Sequence, residues 1–166
     1  MINALTRSPF TFLTLGTALG CGLIAGVFFA FSSFVMPALA RIAAPQGIAA
    51  MQAINVVVLN RWFLGVFLGS ALGCAVLAAS ALLNWSEPGA GLALAGALLY
   101  LVGTLVVTRA FNIPRNHALA AVAAESAEGL RLWLRYVPEW TFYNHVRSLA
   151  ALAAAGCFIL ALLRAR

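Results

Sequence analysis

Four stretches without a formal charge set the plan of the chain: Ser8 to Ala40 (33 residues), Trp62 to Ser86 (25), Pro88 to Thr108 (21) and Ser148 to Leu163 (16). About 20 residues of helix cross roughly 30 Å of hydrocarbon, so the first three are long enough to span a bilayer as they stand. The fourth reaches that length when extended back to Trp140, which carries His145 and Arg147 into the membrane. The pattern predicts an all-α integral membrane protein. Its core is a four-transmembrane-helix bundle with spans near 10–40, 62–84, 88–109 and 140–163, forming a single membrane domain over residues 1–166. A cleaved signal peptide does not account for the first run, which far exceeds the roughly 7–15 residues of a signal's apolar core. Pro37, near its end, is expected to kink or stop the helix.

The connections are unequal. Asn84 to Glu87 makes a tight turn that ends at Pro88, whereas Arg41–Arg61 and Arg109–Glu139 each have room for a short amphipathic helix. Ile48, Met51, Ile54 and Val58 recur near helical spacing in the first, and Leu130, Trp133, Leu134 and Val137 do so in the second. Such helices lie in the membrane interface or fold back over the mouth of a bundle. Asn112, Ile113 and Pro114 are expected to form an extended turn, because a residue before proline is pushed out of the helical region, with Asn116 capping the helix that follows. Glycines at four-residue spacing (Gly16 and Gly20, Gly22 and Gly26, Gly65, Gly69 and Gly73) predict close helix packing, since lipid gives helices no hydrophobic reason to associate.

Composition sharpens the class. Hydrophobic types make up 64% of the chain and charged types 8%, which sets it apart from soluble domains. The net charge of +6 comes from ten arginines against four glutamates, with no lysine or aspartate. These arginines are scattered between apolar runs and build no basic face, so nucleic acid is set aside. Seven of them fall at the end that holds the two longer connections, and three (Arg7, Arg164 and Arg166) at the other. The positive-inside rule then puts both termini outside the cytoplasm, in a bacterial inner membrane. Cys21, Cys74 and Cys157 fall inside spans, as small apolar residues rather than a disulfide framework.

The densest polar group is Trp140, Thr141, Tyr143, Asn144, His145, Arg147 and Ser148, at the start of the last span. Trp140, Asn144 and Arg147 share one helical stripe and Thr141, His145 and Ser148 the adjoining one. Ionisable groups at such depth are expensive and are functional candidates by default. The plainer readings are that Arg147 snorkels or pairs with Glu139, that His145 is a satisfied neutral imidazole, and that Trp140 and Tyr143 are interface anchors. Thr108, Arg109, Asn112, Asn116 and His117 form a second polar group at the same end, with Gln52 and Asn55 on the first connection completing the set. Paired carboxylates, a catalytic triad, a Cys-x-x-Cys motif and a nucleotide-binding glycine loop are all missing from the sequence. His117 and His145 are two potential ligands for haem or copper without a third, and no metal site is expected.

Five motifs, in order, resemble the anthrone oxygenase family. They are Gly22-x-x-Ala25-Gly26-x-Phe28-Phe29-Ala30-Phe31-Ser32, Met36-Pro37-Ala38-Leu39, Met51-Gln52-x-Ile54-Asn55, Asn112-x-Pro114-x-Asn116 and Trp140-x-x-x-Asn144-His145-x-Arg147. The resemblance implies oxidation of a phenolic, hydrophobic aromatic by O2, without a cofactor, at a lipid bilayer. Removing a proton from a doubly benzylic carbon gives an enolate that itself reacts with O2, so the protein need supply a base, oxyanion donors and a dry aromatic slot. On this reading His145 is the base. Asn144, Asn112 and Arg147 are oxyanion donors, Trp140 is a stacking wall, and Asn55, Asn116 and Tyr143 bind the substrate. Members often carry a small polar or acidic residue where this chain has His117, so no role is carried over to it. A non-enzymatic small-molecule-binding or transport-related protein, or a redox protein with haem or copper between His117 and His145, stays open, as does homo-oligomerisation.

Overall fold

The computed structural model describes residues 2–164, with side chains from residue 10 onward. Arg166 and the side chain of Arg7, both part of the arginine count, lie outside the described residues. Among the described residues seven α-helices run in order: α1 (Ile2–Ala30), α2 (Met36–Leu39), α3 (Ala44–Val57), α4 (Arg61–Leu83), α5 (Ala90–Tyr100), α6 (Ile113–Ala120) and α7 (Ala127–Arg164). Three π-helical segments join them, Phe31–Val35 between α1 and α2 and Leu101–Val106 and Thr108–Asn112 between α5 and α6. Four stretches are long and apolar enough to cross a membrane: Phe10–Leu39, Arg61–Leu83, Ala90–Ala120 and Ala127–Arg164. This is the four-span, all-helical integral membrane bundle that the charge-free runs predict.

The spans form a ring. The first packs on the second and fourth, and the third packs on the same two. Small residues make the contacts, but only some of the regularly spaced glycines take part. Gly20 lies against the Ser70 side chain and Gly73 against that of Thr17, a reciprocal arrangement across α1 and α4, whereas Gly16, Gly22, Gly26, Gly65 and Gly69 face open space. The third span meets the fourth through Gly96, where an added Cβ would come within 3.0 Å of Cys157 Cβ and 3.1 Å of the Ala154 carbonyl. Ile24, Phe67, Leu77 and Phe158 fill the space between the four helices. At the tight turn Gly89 has φ +90° and its Cα faces the Ala161 carbonyl, where a Cβ would sit 2.8 Å from that oxygen, so both conformation and space demand glycine.

The third connection departs from the sequence pattern in two places. The Asn112–Ile113–Pro114 segment is not an extended turn: Asn112 is helical (φ −79°, ψ −42°) and α6 follows without a break, so Asn116 lies inside a helix and caps nothing. Pro114 falls in the first turn of α6, directly after a π segment, and the wider turn there makes room for its ring. The short helix of the third connection is α6, whereas the apolar spacing over residues 130–137 does not form a helix of its own. Leu130, Trp133, Leu134 and Val137 belong to the first turns of α7, which continues through Pro138. At 38 residues α7 is about 57 Å long, almost twice the hydrocarbon thickness, so its first turns stand beyond the apolar slab. Pro37 falls in the short α2 that ends the first span, immediately after the first π segment.

The α3 helix is the expected short amphipathic helix of the first connection. Asn60 separates it from α4, its Oδ1 accepting from the N–H of Trp62 (3.0 Å) and Phe63 (3.1 Å). Met36 of α2, Ile48 and Met51 of α3, Leu119 of α6 and Trp133, Tyr136 and Trp140 of α7 form a second core at this end. Gln52 ties α3 to α6, its Nε2 donating to the carbonyls of Leu119 (2.8 Å) and Val122 (3.0 Å). The outer side of α3 and of the turn after it is apolar, with Val56, Val57, Leu59 and Trp62 all at least 66% exposed, as suits a helix lying against lipid.

Candidate active site

Between the two cores lies a cavity of about 420 Å³. Phe28, Phe31, Phe63, Phe67 and Trp140 supply aromatic walls, and Gln52, Asn55, Thr108, Asn116, His117 and Arg147 are its polar lining. α3 roofs it, α6 carries one rim, and α7 provides the deepest polar group.

That group is Arg147, which is 5% exposed. Its Nη2 donates to Asn144 Oδ1 (2.5 Å) and its Nη1 to Thr108 Oγ1 (3.2 Å). Asn144 cannot turn over, because its Nδ2 donates to the Phe28 carbonyl and to Ser32 Oγ, both at 2.6 Å, which leaves only Oδ1 for the guanidinium. Thr108 is fixed in the same way by donation to the Thr104 carbonyl (2.7 Å). The guanidinium carbon lies 4.1 Å from the ring centre of Phe28 and 5.3 Å from that of Trp140, so two aromatic faces share the positive charge. What the guanidinium lacks is an anion. Glu139 pairs instead with Arg115 (2.9 Å) and Arg135 (3.7 Å), and no other ion pair occurs among the described residues. The Nε–H of Arg147 is buried and has no partner in the protein. Taking an isolated cation out of water costs several kcal/mol, so this arrangement holds a strong electrostatic demand for negative charge at the cavity floor.

The remaining polar groups are positioned with similar economy. Tyr136 Oη (2.9 Å) and Trp140 Nε1 (2.8 Å) both donate to Asn116 Oδ1. An indole N–H can only donate, so the Asn116 oxygen must face α7 and its NH₂ is turned the other way. The NH₂ nitrogen of Asn55 is buried at the cavity wall, near the Tyr136 hydroxyl but without a close hydrogen bond of its own. Asn112 is buried behind Trp140, its Nδ2 donating to the Trp140 carbonyl at 3.3 Å, and does not line the cavity.

The fold thus gathers Arg147, Trp140, Asn55 and Asn116 around one space and places Asn144 and Asn112 one layer behind. Tyr143 is elsewhere, stacked on Phe111 (centroids 4.2 Å apart) under the guanidinium of Arg115. His145 also lies outside. It is exposed, in a separate cleft with Pro37, Pro138 and Thr141. Helical geometry explains the separation: His145 is two residues, or about 200°, from Arg147, so the two point to opposite sides of α7. The histidine that lines the cavity is His117, at its rim on α6. The two histidines therefore do not face one another across a shared space, and no cluster of three His, Cys, Asp or Glu that could hold a metal occurs among the described residues.

Sequence reasoning passed over His117, Thr108 and the phenylalanine walls as site residues. A signal for His117 existed, since Ile113, Asn116, His117 and Ala120 form one helical stripe once α6 is read as a helix.

A four-span bundle with an aromatic-walled cavity and a buried cation on its lining defines an integral membrane protein with an internal cavity of small-molecule size. The family model described as anthrone oxygenase matches residues 60–157, more than half of the chain, and the protein belongs to that family. No curated protein and no solved structure matches it.

Proposed function

We propose that this protein oxidises a phenolic, anthrone-like aromatic with O2, without a bound cofactor, in the cavity roofed by α3. The observation that carries the proposal is Arg147: a cation shielded from water, held by Asn144 and Thr108, with aromatic rings beside it and no carboxylate to neutralise it. Such a group stabilises charge that develops on a substrate oxygen, which is the need of a reaction that passes through an enolate.

The chemistry balances with O2 alone. A base removes one proton from the doubly benzylic CH₂, and the electron pair moves onto the anthrone oxygen beside Arg147. One electron passes from the enolate to O2, and the resulting radical pair closes to a carbon–oxygen bond, giving a peroxide on the former CH₂ carbon. Loss of the second C–H proton and cleavage of the O–O bond then yield the quinone and one water. We assign the base to His117, the imidazole at the cavity rim, in place of His145 in its separate cleft. Trp140 and the phenylalanines hold the ring system flat and keep water from the enolate, while Asn55 and Asn116 orient its other oxygens. In the membrane, the arginine count places the α3 end in the cytoplasm and the tight turn at residues 84–89 outside.

The test is an oxygen-electrode assay of the purified protein with anthrone. One O2 consumed per anthrone, with anthraquinone as product and a rate proportional to protein, is the expected result. No uptake above the uncatalysed rate overturns the reaction and leaves a small-molecule-binding membrane protein.

A further inference from the structure

The hydrogen-bonding complement of the cavity is lopsided. Its inner acceptors are already used: Asn144 Oδ1 and Thr108 Oγ1 by Arg147, and Asn116 Oδ1 by Tyr136 and Trp140. Two buried donors are not, Arg147 Nε and Asn55 Nδ2, and the Asn116 amide presents its NH₂ side away from α7. The acceptors left on the lining are Gln52 Oε1, whose Nε2 is committed to α6, and a ring nitrogen of His117 at the rim. Charge follows the same pattern. α1, α3 and α4 bring no titratable side chain to the cavity, α6 brings His117, and α7 brings Arg147 with the Tyr136 hydroxyl close behind the lining.

From this we propose that the cavity is a receptor for the ionised form of its ligand, and that it takes a hydroxylated polycyclic aromatic as the phenolate rather than as the phenol. A phenol must donate, and the acceptors beside Arg147, Asn144 Oδ1 and Thr108 Oγ1, already accept from the guanidinium. A phenolate is acceptor-only, satisfies Arg147 Nε and an amide NH₂ together, and brings the negative charge that the buried guanidinium lacks. An opposite charge at contact distance shifts a ligand's ionisation by about 1–3 pH units toward the charged form. The inference deepens the proposed function by naming the charge state of its ligand, and it rests on that reading for the choice of aromatic.

The probe is 2-hydroxy-9,10-anthraquinone, which has no CH₂ to oxidise and whose phenolate absorbs at longer wavelength than its phenol. Titrated against pH in detergent with and without protein, the bound dye should ionise at least one pH unit below the dye in detergent alone. The 2-methoxy analogue, which has no proton to lose, should bind at least tenfold more weakly. Arg147→Met should abolish the downward shift. Asn55→Asp, at the cavity wall, should raise the midpoint relative to wild type by replacing a donor with a like charge, and it serves as the variant of record if Arg147→Met does not fold. A bound dye with an unshifted or raised midpoint, equal binding of the methoxy analogue, or an Asn55→Asp midpoint equal to that of wild type would each overturn the inference. Dye ionisation without anthrone-dependent O2 uptake would keep it and overturn the proposed reaction. Uptake with an unshifted dye would do the reverse.

Discussion

The two ends of the bundle solve different problems with the same four helices. Toward the tight turn, helices approach through Gly96 and, nearer the middle, through Gly20 and Gly73, and apart from small hydroxyl side chains such as Thr17 and Ser70 what lies between them is apolar and filled. Toward α3, two π-helical segments interrupt the third span and one interrupts the first, polar side chains replace alanine and leucine, and a cavity opens. The packed end supplies a rigid frame. The open end spends that rigidity on holding a charged group where lipid and protein alike disfavour it. A buried polar constellation in a membrane bundle therefore depends on close packing some distance away, and perturbations at the two ends should separate into losses of activity and losses of stability.

The largest expected effect is at Arg147. Arg147→Met should lower kcat/KM for anthrone oxidation by about 10³-fold, the upper range for removal of one oxyanion donor. Arg147→Lys should recover little of it, because one ammonium nitrogen cannot stand in for the planar fork that reaches Asn144 and Thr108 through two nitrogens and offers a third, Nε, to the substrate. Oxygen uptake by both variants, compared with wild type, is the measurement. A Lys variant at the wild-type rate would reduce Arg147 to a snorkelling cation and erase the contrast between the two ends.

Next in size is the pair of histidines. His117→Gln should slow the reaction by about 10²-fold, the lower range for a positioned general base, while His145→Gln should leave the rate unchanged. The same assay on the two variants decides between the cavity and the separate cleft. A rate lost with His145 and kept with His117 would return the base to the stripe that the sequence suggested.

The smallest effect belongs to the packed end and appears in a different measurement. Gly96→Leu forces a side chain into the space held by Cys157 and Phe158 and should destabilise the bundle by about 1–3 kcal/mol, seen as a lower midpoint of thermal unfolding in detergent. The turnover of the folded fraction should stay that of wild type. A variant that unfolds normally but turns over slowly would show that the two ends are coupled more tightly than their contacts suggest.

The legible part of the fold was what depends on long runs: four spans, the tight turn, the α3 helix and the polar character of one end. The boundaries near Pro114 and Pro138 were not legible. Proline biases its neighbours locally, whereas the π segments before α6 and the packing of Trp133 and Tyr136 under α3 decide the backbone over a longer range. Among candidate site residues, Arg147, Trp140 and Asn144 announced themselves by sharing a stripe on α7: the first two line the cavity, and Asn144 holds Arg147 from behind. Asn112 and Asn144 were legible as buried polar groups, but their positions behind the lining depend on which carbonyl each amide reaches, and spacing carries no such information. His145 misled because adjacency in sequence is a turn of about 100° on a helix.

The π segments carry one more consequence, for how this chain tolerates insertion and deletion. Each wider turn holds a residue more than the α-helical ladder needs. Deleting one residue within Leu101–Val106 would therefore let the third span regain regular i to i+4 bonding with Thr108, Asn116 and His117 still on their side of the bundle. Deleting one from the regular helix Ala90–Tyr100 would instead turn everything beyond by about 100°. Thr108, Asn116 and His117 would then sweep together off the cavity and onto a different meridian of the bundle. The span would survive as a span in both cases, but only the π turns hold the slack that lets its length change without moving the polar lining.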